Sequence, residues 1–168
     1  MPHSGFVPLR IFSCYTMLDG AIEPKAIAKR ARELGFPAAA VTDRNGLFAA
    51  MSFSGAAGDA GVQPIIGTML GVARPDLPEC QPVQTDWIAL YAQDEAGYLN
   101  LCKLVSEAHL GRPLEQPPHV DFEMLAARAD GLIALTAGGE GALANYRPEP
   151  SNTVDNRDRR LSMPGRSP

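Results

Sequence analysis

The chain has 168 residues, of which 45% are hydrophobic and 20% are charged, and its formal net charge is −4. This length and composition fit one globular domain with a hydrophobic core and exclude two large domains. The negative charge excludes the overall electrostatic attraction of a free-standing nucleic-acid-binding protein, so DNA contact would need a local patch or attached domains.

Short apolar runs alternate with helical patterns along the chain, and this alternation indicates an α/β fold. In chain order the predicted elements are a strand over residues 6–12, a helix over 24–34, a strand over 38–42, a helix over 47–60, a strand over 62–72, a strand over 87–92, a helix over 94–110, a short helix over 121–128 and a strand over 131–136. This order predicts a largely parallel sheet, either open or curled into part of a barrel.

Several residues mark where the predicted helices begin and end. Pro24 suits the first turn of the first helix, and Gly35 can end that helix in a left-handed conformation. Gly61 then ends the second helix. Asp94 and Asp121 can each cap the helix that follows them by accepting a hydrogen bond from a first-turn N–H group.

The first predicted helix has one apolar face and one basic face. Its basic face carries Lys25, Lys29, Arg30 and Arg32. A face of this kind is ordinarily only solvated, and docking of a partner is the alternative.

Two segments of the chain lack helical and strand periodicity. Residues 74–85 are a proline-rich loop, and after residue 143 the composition shifts to Pro, Arg, Asn, Asp and Ser. We therefore predict a domain over residues 1–143 and a disordered or unrelated tail over residues 144–168, because the tail has too few apolar residues to offset its ordering entropy. Asp155 and Asp158 interleave with the arginines of the tail, which disfavours a DNA-binding role for it.

The cysteines and the N-terminus predict a cytoplasmic protein. The three cysteines are far apart and form no Cys-x-x-Cys pair, which argues against a zinc ribbon or a disulfide framework and fits a reducing compartment. The sequence shows no signal peptide, and no apolar stretch approaches the roughly 20 residues of a membrane span.

Six segments of the sequence resemble a known family. Residues 6–20 read Phe-Val-Pro-Leu-Arg-Ile-Phe-Ser-Cys-Tyr-Thr-Met-Leu-Asp-Gly, and residues 40–48 read Ala-Val-Thr-Asp-Arg-Asn-Gly-Leu-Phe. Together with the segments 20–25, 63–67, 94–106 and 131–136, they resemble the PHP (polymerase and histidinol phosphatase) domain that begins the alpha subunit of bacterial replicative DNA polymerase III. The resemblance covers residues 6–143, and the order and spacing of the segments make it specific.

The resemblance implies a distorted β/α barrel, here incomplete, and a role in DNA replication. At the level of the full subunit the implied activity is that of a DNA-directed DNA polymerase, a nucleotidyltransferase that uses Mg²⁺. This chain would be a truncated N-terminal fragment without the polymerase active site, acting as a structural and docking module. The implied partners are the remainder of the polymerase and the proofreading exonuclease subunit, with DNA reached only through the full subunit and no membrane contact.

Metal-binding members of the family hold divalent ions with clustered His, Asp, Glu and Cys side chains, which lower the pKa of water and bind phosphate. The resemblance places the corresponding positions of this chain at Pro8, Phe12, Asp19, Asp43, Arg44, Met69, Trp87 and Gly138.

Most of these positions carry side chains that cannot bind a metal. Pro8, Phe12 and Arg44 stand where metal-binding relatives have histidines. Met69, Trp87 and Gly138 stand at or beside positions of an acidic residue, a histidine and a cysteine.

We therefore expect no metal, no other cofactor and no catalytic residue in this chain. An arginine side chain stays protonated and repels a divalent cation, and Arg44 could instead form ion pairs with Asp19 and Asp43. The alternative is a small metal-dependent PHP phosphoesterase, which would need ligands that the sequence does not show.

Other candidate sites are weaker. His3, His109 and His119 are too far apart in sequence to suggest a shared metal site. Residues 138–141 read Gly-Gly-Glu-Gly and could suggest a phosphate-binding loop. The segment lacks the Lys-Ser/Thr pair of such loops, which favours a plain turn.

Overall fold

The computed structural model describes residues 4–74 and 83–145 of the chain. In chain order the elements are α1 (Pro24–Glu33), β1 (Ala38–Val41), α2 (Ala50–Ala60), β2 (Gln63–Ala73), β3 (Thr85–Ala92), α3 (Glu95–Leu110), α4 (Phe122–Ala127), β4 (Leu132–Leu135), a 3-10 turn (Gly138–Glu140) and α5 (Ala142–Asn145). The predicted α/β class is confirmed, and so is the alternation of most of the predicted elements.

The strands form one sheet in the order β1-β2-β3-β4, and the prediction of a largely parallel sheet is wrong. Only β1 and β2 are parallel; β3 is antiparallel to both β2 and β4. A parallel pair needs a crossover of about a dozen residues or more, usually a helix. The helix α2 supplies that crossover between β1 and β2. Only residues 74–84 join β2 to β3, which allows the chain to turn back in the antiparallel direction.

The predicted first strand over residues 6–12 is wrong as a strand, although this segment does lie beside β1. The N–H of Ala40 donates to the carbonyl of Pro8, and the N–H of Thr42 donates to the carbonyl of Ile11, both at 2.9 Å. The two donors are separated by fewer residues than the two acceptors, so the register slips as in a β-bulge. Pro8 also has no N–H to donate, and a regular ladder cannot form there.

The predicted helix ends are confirmed. The side chains of Asp94 and Asp121 each accept a hydrogen bond from the N–H three residues later, at 2.8 Å and 2.6 Å. Gly35 and Gly61 follow α1 and α2 with φ values of 72° and 67°. The helix α2 begins at Ala50, later than the prediction of residue 47, because residues 47–49 form a turn without a side-chain cap.

Alternation along the strands separates the core into two layers. On β1, Ala39 and Val41 pack beneath α1 and α2, whereas Ala40 lies on the opposite face of the sheet. On β2, Leu70 packs beneath α3 and Met69 lies on the opposite face. One face of the sheet is therefore covered by helices, and the other face carries a smaller apolar cluster that supports the site described below.

Some predictions fall on parts of the chain that the structure does not describe. The loop over residues 74–85 lies largely outside the described residues, as do Cys80 and nearly all of the tail over residues 144–168. The boundary at residue 143 stays a prediction. None of the helices in the described residues is long and apolar enough to span a membrane.

The junction between α3 and β4 has no room for a side chain at Gly97. A Cβ atom there would lie 1.8 Å from the carbonyl oxygen of Gly131, whereas a Cβ at Gly58 in α2 would meet nothing within 4 Å. We expect Gly97→Ala to lower the free energy of unfolding by about 2 kcal/mol or more, because overpacking against backbone forces the two segments apart. Gly58→Ala is the matched control and should raise that free energy by up to about 1 kcal/mol through helix propensity. Urea denaturation measures the free energy of unfolding of both variants. Equal effects of the two substitutions would contradict the tight packing at Gly97.

Candidate functional site

A buried carboxylate fixes the N-terminal loop over residues 13–16 against the sheet. Asp43 lies just after β1 and is only 2% exposed. Its Oδ1 accepts hydrogen bonds from the N–H of Ser13 at 2.7 Å and from the hydroxyl of Thr16 at 2.9 Å, and its Oδ2 accepts from the hydroxyl of Ser13 at 2.8 Å. Both carboxylate oxygens are therefore engaged by donors of the loop.

The backbone of Asp43 binds the neighbouring strand. Its carbonyl accepts a hydrogen bond from the N–H of Met69 at 3.1 Å and from the hydroxyl of Thr68 at 2.8 Å. Asp43 thus joins the N-terminal loop, β1 and β2 at one point.

The next residue, Arg44, extends its guanidinium between two carboxylates. Its Nε donates to Oδ2 of Asp19 at 2.6 Å, and its Nη2 donates to Oε1 of Glu140 at 3.0 Å. The Arg44 side chain is 19% exposed, whereas the two carboxylate side chains are 46% and 42% exposed. One partly buried cation thus connects the loop before α1 with the 3-10 turn after β4.

Two aromatic rings hold the same guanidinium. The Cζ of Arg44 lies 5.0 Å from the centroid of the Phe12 ring and 4.4 Å from that of Trp87. Both distances are within the range of cation–π attraction, which strengthens when the cation is partly desolvated. Phe12, Trp87 and the fully buried Met69 belong to one apolar cluster beneath the guanidinium. Phe12 and Trp87 therefore supply an aromatic surface on which the cation lies.

A second arginine completes the arrangement, which we call the Arg44 cluster: Arg10, Phe12, Asp19, Arg44, Trp87 and Glu140. Arg10 forms an ion pair with Oε2 of Glu140 and lies 5.3 Å from the Phe12 ring centroid. Glu140 therefore accepts from two guanidinium groups at once. Burial by itself raises the pKa of Glu140, but the hydrogen bonds and charges of Arg44 and Arg10 outweigh it, so the pKa of this carboxyl lies below its usual value.

The structure brings together several of the positions that the resemblance singled out. Phe12, Asp19, Arg44 and Trp87 meet in the Arg44 cluster, and Met69 lies in the apolar layer beneath it. Gly138 begins the 3-10 turn that carries Glu140, and its φ of 61° suits glycine.

Two expectations about these positions need correction. Arg44 pairs with Asp19 as expected, but its side chain does not pair with Asp43, because the loop over residues 13–16 already occupies that carboxylate. Pro8 lies away from the Arg44 cluster and lines an apolar groove beside α1 with Ile27 and Phe36.

Sequence reasoning missed Arg10 and Glu140 as members of the site. Arg10 stands two residues before Phe12, and alternate residues of an extended segment share a face, so its position carried a usable signal. Glu140 lies 130 residues from Arg10 along the chain, in a glycine-rich segment interpreted as a plain turn. Only the fold brings these two side chains together.

The other candidate ligands have partners elsewhere. Asp86 pairs with the guanidinium of Arg74 at 2.6 Å and 3.0 Å. The ring nitrogens of His109 and His119 lie 2.7 Å and 2.8 Å from the backbone carbonyls of Asn45 and Pro117, respectively. Within the described residues, no three His, Cys, Asp or Glu side chains are placed to hold a metal ion.

The residues of the Arg44 cluster do not fit a divalent metal. Asp19 and Glu140 are paired with guanidinium groups, and the oxygens of Asp43 accept hydrogen bonds from the loop. A metal would have to displace Arg44, whose charge repels it. What the cluster can do chemically is hold distant segments together.

Known proteins of one family match most of this chain. Residues 8–160 match the PHP domain family. The chain is 42% identical over 138 residues to the DNA polymerase III subunit alpha of Caulobacter vibrioides, which covers 82% of this chain and 12% of that protein. It is 38% identical over 144 residues to the error-prone DNA polymerase of Anaeromyxobacter sp., which covers 81% of this chain and 12% of that protein. The chain thus spans about 12% of the length of these curated relatives.

A solved structure shows a more distant likeness. An amidohydrolase from Chromobacterium violaceum superposes with a TM-score of 0.48 and 22% sequence identity, over 63% of this chain and 34% of that chain. That TM-score is too low to support a conclusion about this chain.

Asp43 and Asp19 should differ sharply in their contribution to stability. We expect Asp43→Ala to lower the free energy of unfolding by about 3 kcal/mol, because it leaves buried donors of the loop without an acceptor. Asp19→Ala should cost about 1 kcal/mol or less, since Asp19 is a half-exposed ion-pair partner. Urea denaturation of metal-free protein measures both. If Asp43→Ala had no effect or were stabilising, the carboxylate would be a vacant ligand and not a structural acceptor.

The ion pairs of Glu140 should make stability depend on pH in a defined direction. A carboxyl whose pKa is lowered by folding contributes stability that is complete above its unfolded pKa, about 4.3, and lost as the pH falls through the folded pKa. We expect Glu140→Gln to be less stable than wild type at pH 7, by roughly 1 kcal/mol for a half-exposed pair. The difference should shrink towards zero below about pH 4.

Glu33→Gln is the control for the pH experiment, because Glu33 forms only an exposed pair with Arg30 within α1. This variant should stay close to wild type at both pH values. A Glu140→Gln difference that persisted unchanged in acid would show that loss of the negative charge is not its cause.

Proposed function

This chain belongs to the PHP domain family, and we propose that it is a non-catalytic PHP domain from the N-terminal region of a replicative DNA polymerase alpha subunit. The observation that carries the proposal is the guanidinium of Arg44, which lies between Asp19 and Glu140 at 2.6 Å and 3.0 Å. In this proposal the ion pairs take the place that metal ions have in metal-binding members of the family.

The proposed role of the Arg44 cluster is to close the domain. Arg44 and Glu140 are separated by 96 residues, so their ion pair joins the first strand of the sheet to the turn that follows the last one. Exposed ion pairs alone contribute little, typically below about 1 kcal/mol each. Here the cation is partly buried against two aromatic rings, and its contacts share one pre-organised group, which raises their combined contribution.

The activity and partners of a complete polymerase subunit are part of the same proposal. Nucleotide transfer, its Mg²⁺ ions and contact with DNA would belong to the remainder of a full-length subunit. The domain would pack on that remainder and dock the proofreading exonuclease subunit. The chain is 42% identical in sequence to a DNA polymerase III subunit alpha over 82% of its own length, which supports this proposal.

Metal loading tests the proposal directly. We expect the purified domain, incubated with Zn²⁺ or Mn²⁺ and then dialysed, to hold substoichiometric metal by mass spectrometry, because Arg44 supplies a fixed positive charge where the ions would bind. Hydrolysis of p-nitrophenyl phosphate with Mn²⁺ should equal the rate in buffer alone. A metal-binding PHP phosphoesterase treated identically is the positive control. Two or more tightly held ions per chain, with hydrolysis, would overturn the proposal in favour of a small metal-dependent phosphoesterase.

A further inference from the structure

The helix-covered face of the molecule has an open groove between α1 and α2. Its volume is about 670 Å³. It is lined by Lys25, Lys29, Arg32, Glu33, Met51, Ser52, Gly55, Ala56, Asp59 and Ala60. None of these residues belongs to the Arg44 cluster or to the layer beneath it, so the groove is a separate surface of the domain.

One wall of the groove is a row of unpaired cations. Lys25, Lys29 and Arg32 follow the spacing i, i+4, i+7, which places them on one side of α1. All three are exposed, and within the described residues none forms an ion pair with a carboxylate. Arg30 on the same helix differs, because it pairs with Glu33 at 3.1 Å. The positive wall stands out on a chain whose net charge is −4.

The other wall combines an exposed apolar side chain with an opening. Met51 is 81% exposed although it is large and apolar. Gly55, one turn further along α2, lines the groove, and a Cβ atom there would meet nothing within 4 Å. Glycine inside a helix costs about 1 kcal/mol relative to alanine, and no packing contact in the described residues requires it here. Gly55 thus leaves this part of the groove wall without a side chain beside Met51.

We propose that the groove between α1 and α2 docks an acidic segment of a partner protein, which places an apolar side chain beside Met51. The cations of α1 would bind the carboxylates of the segment, and methionine adapts its shape to varied apolar partners. Glu33 and Asp59 stand among the lining residues and would repel the evenly charged backbone of a nucleic acid. A peptide can position its carboxylates away from them, so this mixed lining favours a protein segment.

The electrostatic part of this binding should respond to salt. Charges at an exposed groove are screened over about 8 Å at physiological ionic strength. Attraction of this kind mainly accelerates association, so affinity should weaken as salt rises while the apolar contact at Met51 persists.

Peptide selection on the intact chain tests the proposal. A display library of random 12-residue peptides is selected on wild-type protein, and peptides that also bind the Gly55→Leu variant are removed. We expect the survivors to be rich in Asp and Glu around one or two apolar residues. Lys29→Glu should weaken their binding about tenfold or more, as expected when an attraction becomes a like-charge repulsion.

Gly58→Leu is the matched control for Gly55→Leu. Gly58 lies on the same helix and has equally open surroundings, but it does not line the groove. Both substitutions favour the helix, so a loss of binding in Gly55→Leu alone assigns the effect to the groove and not to folding.

Three outcomes would overturn the proposal: survivors without acidic enrichment, no survivors at all, or survivors that bind Gly58→Leu as poorly as Gly55→Leu. An oligothymidylate of 12 nucleotides is tested in parallel, and binding of this DNA with the same dependence on Lys29 and Gly55 would make the groove a nucleic-acid surface instead. The metal content of the domain does not enter these measurements, so they stand or fall separately from the non-catalytic role proposed above.

Discussion

The contacts of the Arg44 guanidinium hold together the side chains on the sheet face opposite the helices. A guanidinium has donors in a fixed plane and an extended flat surface, and both are used here. Its edge reaches Asp19 and Glu140, while its surface lies over Phe12 and Trp87. Imidazole ligands at the positions of Phe12 and Arg44 would suit a metal ion but could not reproduce these contacts. The aromatic and cationic side chains of the cluster are therefore compatible with each other.

Asp43 illustrates how a buried acidic residue can serve only as a structural acceptor. Its carboxylate binds Ser13 and Thr16, and its carbonyl binds Thr68 and Met69. These hydrogen bonds hold the N-terminal loop beside the end of β1 and the middle of β2. The loop in turn positions Asp19, so the neighbouring ion pair with Arg44 depends on the buried carboxylate. Structure alone gives a sufficient reason for an aspartate at this position.

Local signals in the sequence predicted the helices well, and non-local contacts were predicted poorly. Asp94 caps α3 and Gly61 ends α2 because each acts within a few residues of itself. The direction of β3 depends on how a connection folds back, which periodicity does not encode. The segment over residues 6–12 has the apolar pattern of a strand, yet Pro8 interrupts its pairing. In the site, the pairing of Arg44 with Asp19 followed from charge and resemblance, whereas Glu140 is brought close only by the completed sheet.

The alternation of side chains along β1 and β2 places the two faces of the sheet in separate packing layers. Ala39 and Val41 support α1 and α2, whereas Ala40 contributes to the apolar layer below the Arg44 cluster. The Arg44 cluster and the helices α1 and α2 therefore lie on opposite faces of the sheet. The groove between α1 and α2 lies on the helix-covered face, so it shares no residue with the Arg44 cluster.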